Sequence, residues 1–136
     1  MKKIIFPGIV VGAANFILGM IVCYLFMVFP SVVDNYANAS LMRPWSDPLM
    51  SLFFLYPFVL GIILAWVWHK SKSLFHGTAV MKGVKFGLVI SLISTVPGML
   101  ISYSTFPISI ITIISWTVSG VVCAIAAGII LAKINK

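Results

Sequence analysis

Four apolar runs, each long enough to cross a bilayer as a helix, constrain this sequence more than any other feature. A spanning helix needs about 20 apolar residues. The stretches Ile4 to Phe29, Leu49 to Trp68, Gly83 to Tyr103 and Ile108 to Ala132 meet that length. Nine lysines and arginines and two aspartates are the whole charge complement, 8% of 136 residues, against 62% hydrophobic. Soluble domains carry about 25% charged residues. So few charges cannot coat a water-exposed surface, and lipid is the expected solvent.

In hydrocarbon, backbone N–H and C=O groups must be satisfied within the segment, which selects helix over open strand. That argument overrides the β-branched character of Ile108 to Ile114, which would read as a strand in water. The predicted fold class is all-α: one membrane domain (1–136), an antiparallel four-transmembrane-helix bundle. Its helices are expected over about 4–29, 49–68, 83–103 and 108–132, with an outer loop 30–48 and a cytoplasmic loop 69–82. Neighbours in chain order are the default arrangement, with the third and fourth helices as a tight hairpin. The N-terminal MKKIIFPGIVVG resembles a signal peptide, but its apolar run exceeds the roughly 7–15 residues of an h-region. It is read as a retained first helix, with Pro7 in its first turn.

Lysine placement gives the direction. Lys2 and Lys3, then Lys70, Lys72, Lys82 and Lys85, then Lys133 and Lys136 mark one side; Arg43, with Asp34 and Asp47, stands alone on the other. The positive-inside rule puts both termini and the middle loop in the cytoplasm and makes the plasma membrane the expected location. The net charge of +7 is therefore read as topology signal and head-group contact, with membrane lipid as partner and no nucleic acid.

Small residues recur at helical spacing: Gly8, Gly12 and Gly19; Gly61 and Ala65; Gly83, Gly87, Ser91, Ser94 and Gly98. The fourth helix carries two adjacent lines, Ser115, Ser119, Cys123, Ala127 and Gly120, Ala124, Gly128. Such faces let backbones approach. They serve the bundle itself or a homo-oligomer, and the fourth helix is the candidate for meeting several neighbours.

Few residues offer chemistry. Asn15 is the only amide or charge well inside a run; it either bonds across helices or contacts a ligand. Pro57 and Pro97 interrupt helices two and three, roughly 10–12 Å below the outer surface by helical rise. Tyr56, Ser94, Thr95, Gly98, Ser115, Trp116 and Thr117 lie near that depth. Two kinks among hydroxyls suggest an outward-facing crevice between helices two and three. In the outer loop, Asp34, Tyr36, Arg43, Trp45 and Asp47 form the densest polar cluster. Arg43 pairing with an aspartate would staple the loop; alternatively the rim binds a solute or protein. Ser46 or Asp47 is expected to cap helix two, with Pro48 following. A short turn is expected around Asn35 to Met42.

Cys23 and Cys123 fall at different depths, about 9 and 22 Å from the outer ends, too far apart for a disulfide. His69 and His76 lack nearby carboxylates, so no metal site is expected. Asn38-Ala39-Ser40 matches a glycosylation sequon, a triplet common by chance.

The stretches RPWSDPLMSLFFLYPF, AWVWHK and PGMLISYSTFP make the chain resemble a family of small four-helix integral membrane proteins of bacteria and archaea. The resemblance implies the fold and topology, and no activity. Other four-helix families fit poorly. Small multidrug exporters need a membrane glutamate, and this chain has none. Fluoride channels often show weak charge bias, which is strong here. Thiol-quinone oxidoreductases need paired outer cysteines. The first reading is thus a non-enzymatic protein with a structural or interaction role and no cofactor. A small-solute binder or transporter using Asn15 and the crevice comes second. A membrane enzyme comes last, because no nucleophile–base pair or acidic dyad can be assembled.

Overall fold

A computed structural model describes residues 2–135, and every regular element among them is helical. Six α-helices follow in order: α1 (Lys2–Phe26), α2 (Pro30–Ala37), α3 (Ser51–Ser71), α4 (Ala79–Ile90), α5 (Val96–Thr105) and α6 (Ile110–Ile134). Lys136 lies outside the described residues. Four helical stretches are long and apolar enough to cross a membrane: Lys3–Phe26, Pro48–Leu74, Ala79–Thr105 and Ile110–Ile134, with mean hydropathies of 2.3, 2.2, 1.9 and 2.2.

Side-chain caps set the helix starts. Asp47 Oδ1 accepts from the Leu49 N–H at 2.9 Å, and Pro48 opens a short 3₁₀ turn that runs into α3. This is the cap expected there. Ser109 accepts from the Thr112 N–H at 3.2 Å and starts α6. Thr78 accepts from Met81 N–H at 3.3 Å, so α4 begins at Ala79, earlier than the expected 83. The lysines there disguise a helical turn as loop. Gly77, just before this cap, has φ of 117°, a left-handed turn that favours glycine.

The prolines depart from expectation in instructive ways. α1 already begins at Lys2, so Pro7 sits inside the helix rather than in its first turn. Proline cannot donate to the carbonyl four residues back, here that of Lys3. Asn135 Nδ2, at the far end of the chain, donates to that carbonyl at 3.1 Å. Pro57 lies within an α3 that continues without interruption. Before Pro97 the helix widens into a π-turn over Ser91–Thr95, in which Val96 N–H reaches Ser91 O. A π-bulge is a common response where a ladder bond is lost.

Glycine contacts fix the packing. A Cβ on Gly8 would lie 2.6 Å from Ile62 Cα, and one on Gly12 2.7 Å from Phe58 Cα. Likewise Gly83 meets Ile129 Cα at 2.5 Å and Gly87 meets Ile125 Cα at 2.5 Å. Gly61 abuts the Gly8 carbonyl, and Gly128 the Gly83 carbonyl. The extensive helix contacts are α3 on α1, α1 on α6 and α6 on α4. The order is therefore α3–α1–α6–α4: spans one and two, and three and four, are neighbours as chain order leads one to expect, whereas spans two and three (α3 and α4) are not extensively packed. Gly8 and Gly12 seat α1 on α3, as Gly128 seats α6 on α4. The two small-residue lines of α6 serve two neighbours within the chain, one holding α1 at Cys123 and the other α4 at Gly128.

The core lies toward one end. Val11, Leu64, Ala65, Trp68, Phe86, Ala127, Leu131 and Ala132 form one buried cluster. Trp68 stacks on Phe75 at 6.0 Å and meets Phe86 edge-on at 5.2 Å, joining the ends of α3 and α4. At the other end the bundle loosens. After the π-turn, α5 leans on α6 far less than α4 does, and Ile93 and Leu100 are each 70% exposed. The expected hairpin of helices three and four is thus tight only in its α4 half.

Candidate functional site

Three polar places stand out. The first is mid-helix on α1. Asn15 is only 6% exposed, and neither Oδ1 nor Nδ2 has a hydrogen-bond partner. The interhelical side-chain bond expected of it is not made. Only its backbone carbonyl is engaged, accepting from Cys123 Sγ at 3.6 Å. An idle buried amide carries its full desolvation cost. Ser31 Oγ and Trp68 Nε1 are the other buried side-chain atoms without a described partner.

The second place is a seam at the opposite end of the bundle from the core, built by α2. Pro30 at the first position of α2 costs no hydrogen bond, and Val32 is fully buried. The turn expected around Asn35 to Met42 follows this helix at residues 38–42, where the Leu41 and Met42 N–H groups both donate to the Asn38 carbonyl at 3.0 Å. Asn35 Nδ2 donates to Thr112 Oγ1 at 2.7 Å and to Ser109 Oγ at 3.1 Å. Trp116 Nε1 donates to the Tyr36 hydroxyl at 2.7 Å. Sequence reasoning assigned Trp116 to a crevice and missed Asn35 altogether. The available signal was the pair of donors and acceptors at adjacent positions following Pro30. Burial beside Trp116 and Cys23 pushes the Tyr36 hydroxyl above its usual value of 10.0, the Trp116 bond offsetting part of the rise.

The sign of that shift gives a prediction. A hydroxyl that holds its proton more tightly when folded stabilises the seam below about pH 10 and loses that contribution as pH rises through its folded value. Raising the pH above 10 is therefore expected to increase labelling of a cysteine placed at Val32, which is fully buried while α2 is seated. In Tyr36→Phe the rise with pH should vanish, while baseline labelling increases because Trp116 N–H loses its acceptor, worth about 1 kcal/mol.

The third place is the loop before α3. Arg43 Nη1 and Asp47 Oδ2 form an ion pair at 2.8 Å, the expected staple. The Leu49 N–H, then Arg43, hold the Asp47 carboxyl below its ordinary range. Asp34 is exposed on α2, outside this pair, and Trp45 leans edge-on against Phe53 at 5.7 Å. The densest polar cluster of the sequence, Tyr36 of the seam included, is thus divided among four surroundings.

The residues of the expected crevice also separate. Pro57 is buried against Gly12, whereas Pro97, Ser94 and Tyr56 are exposed. Thr95 packs its side chain on Gly120. Ser94 donates to Ile90 O at 2.8 Å, and Thr117 to Ile113 O at 2.7 Å. Such back-bonding commits hydroxyls to their own helices. A groove of about 220 Å³ does open between α5 and α6, lined by Met99, Leu100, Tyr103, Ile113 and Thr117. It is almost wholly apolar, and α3 contributes nothing to it. Cys23 and Cys123 are both free thiols, as their depths require. Among the described residues, no three His, Cys, Asp or Glu side chains gather into a metal-sized cluster.

Together, four bilayer-length apolar helices and this distribution of polar groups are those of a multi-pass membrane protein. No protein-family model, curated protein or solved structure matches the chain.

Proposed function

We propose that this chain is a non-enzymatic multi-pass protein of the plasma membrane with a structural or interaction role. In this reading the bundle is antiparallel, both termini and the 69–82 loop are cytoplasmic, and lipid is the constant partner. The observation that carries the role is the commitment of five membrane hydroxyls to their own backbones. Ser71, Ser91, Ser94, Ser102 and Thr117 each donate to the carbonyl four residues earlier, so none is poised for attack on a substrate. The opposing registers of Gly8–Ile62 with Gly12–Phe58, and of Gly83–Ile129 with Gly87–Ile125, support the antiparallel bundle. The lysine bias supports the orientation. The resemblance to small four-helix membrane proteins belongs to the same proposal.

For an interaction role, the face most available is α5. A Cβ on Gly98 meets nothing within 4 Å, and its apolar neighbours stand exposed. A second copy of the chain is the partner such a small-residue face suits. Single-cysteine variants in a Cys23→Ser, Cys123→Ser background test topology and association together. Ser40→Cys should react with a membrane-impermeant maleimide in intact cells, and Ser73→Cys only after permeabilisation. Oxidation should link Gly98→Cys, but not the buried Ala127→Cys, into dimers. Labelling of Ser73→Cys in intact cells refutes the orientation, and monomeric Gly98→Cys refutes the partner.

One observation favours a second reading, a small-solute binder: the unpartnered amide of Asn15. A solute with both a donor and an acceptor would suit it.

A further inference from the structure

The third span is built in two unlike halves. In α4, Gly83 and Gly87 bring the helix so close to α6 that an added Cβ would lie 2.5 Å from Ile129 or Ile125 Cα, and Phe86 is buried. Backbone meets backbone there, and α4 is locked. Every residue of α5 stays at least partly exposed. Leu100 and Ile101 stand 70% and 65% exposed, and a Cβ on Gly98 meets nothing within 4 Å. Between α5 and α6 lies the apolar groove of about 220 Å³, with Val96, Met99 and Tyr103 on one wall and Ile110 and Ile113 on the other. The change from one half to the other falls at the π-turn Ser91–Thr95. Its last residue, Thr95, rests on Gly120 and supplies a pivot at that boundary.

A π-turn interrupts the regular i→i−4 ladder. Pro97, just beyond it, supplies no N–H at all. Ser91 and Ser94 donate to the Gly87 and Ile90 carbonyls, each at 2.8 Å, and such back-bonding bends a helix. Three interruptions of different kinds therefore fall between Ser91 and Pro97. No hydrophobic force holds α5 against α6, because acyl chains solvate Leu100 and Ile101 as well as a helix does. We infer that the π-turn is a hinge on which α5 tilts relative to a fixed α4–α6 pair. One position closes the groove and the other widens it. The 106–109 link permits the motion: Ile108 is buried at the start of α6, whereas Phe106 is 51% exposed, so the link yields on the α5 side. The ten residues of α5 make about 15 Å of helix, so a tilt of about 20° carries its far end about 5 Å. The hinge sets the shape of the face that the third span offers to lipid or to another chain. The inference rests on the membrane reading above, but not on the orientation or on the second copy.

Distances within one chain decide it. In the Cys23→Ser, Cys123→Ser background, spin labels on Ile101→Cys and Val122→Cys connect α5 to α6. Val89→Cys with Val122→Cys connects α4 to α6 and is the control; all three positions are exposed. Labelled chain is diluted into unlabelled chain in lipid nanodiscs, so that pairs between copies do not enter, and distances are read by double electron–electron resonance. The α5 pair should show two positions about 5 Å apart, and the control pair one. Deletion of Ser94 removes the extra residue of the π-turn and lets the α-ladder run through. It should leave one position for the α5 pair and the control pair unchanged. If the control pair changes in that variant, Pro97→Ala, which restores the missing N–H, is read in its place and should shift the population toward one position. A single narrow α5 distance in the parent chain overturns the inference, as does an α5 distribution that neither change alters. Failure of the second-copy reading would leave these distances untouched.

Discussion

Gly128→Leu is expected to cost this protein most of its tertiary packing, with a loss of about 3 kcal/mol or more. Overpacking a close-packed site costs about 1–3 kcal/mol when neighbouring side chains can shift. Here the obstacle is backbone, because the space a Cβ would need is occupied by the Gly83 carbonyl. The Gly83 and Gly87 contacts on the same interface require the same approach, since a Cβ on either would lie 2.5 Å from Ile129 or Ile125 Cα. Accommodating a leucine means moving α4 away from α6 along the whole contact. In lipid there is no hydrophobic force to compensate, since tails solvate leucine as well as another helix does. The core residues Phe86, Ala127 and Leu131 would separate with it. Gly98→Leu, where the side chain meets open space, should change stability by less than about 0.5 kcal/mol. Unfolding of both variants by increasing SDS in mixed micelles, followed by far-UV circular dichroism, makes the comparison. Equal midpoints would show that glycine count, not backbone approach, holds the bundle.

That contrast indicates what the sequence could and could not reveal. Small residues at helical spacing announce close packing, and the number and position of spanning helices follow from length and hydropathy. Which small residue meets which helix does not follow, because Gly98 and Gly128 sit in the same kind of pattern. Only the three-dimensional order α3–α1–α6–α4 decides that one is locked and the other open. The Arg43–Asp47 pair was legible because its partners are four residues apart and the loop contains no other cation. The Asn35 and Tyr36 seam was not, because its partners on α6, the Thr112 acceptor and the Trp116 donor, lie 77 and 80 residues away along the chain. A separation of 132 residues likewise hid Asn135, which donates to the Lys3 carbonyl that Pro7 leaves without its helical donor. Local chemistry reads well from sequence; a pairing between chain ends does not.

Asn15→Leu is expected to stabilise the protein by about 1–3 kcal/mol, the cost of leaving a buried polar group unsatisfied. Leucine is close to asparagine in size, so the swap mainly exchanges an amide for an apolar group of similar shape. The side chain is 6% exposed, and both polar atoms lack partners. No side-chain hydrogen bond is lost when they go, and the Cys123 contact uses the backbone carbonyl, which the substitution keeps. The same SDS titration reads the result as a higher midpoint. A lower midpoint would mean that the amide holds a partner in the membrane, either an ordered water between α1 and its neighbours or a bound solute. Asn15→Asp separates these expectations further, because an aspartate at that depth brings a charge or a proton that the bilayer interior penalises. A stabilised leucine variant that also loses binding of a solute would place Asn15 among residues retained for function at the expense of stability. A stabilised variant with nothing lost would leave the amide without any role in packing or binding. The midpoint of that one variant, read together with its solute binding, therefore determines whether the second reading of this protein survives.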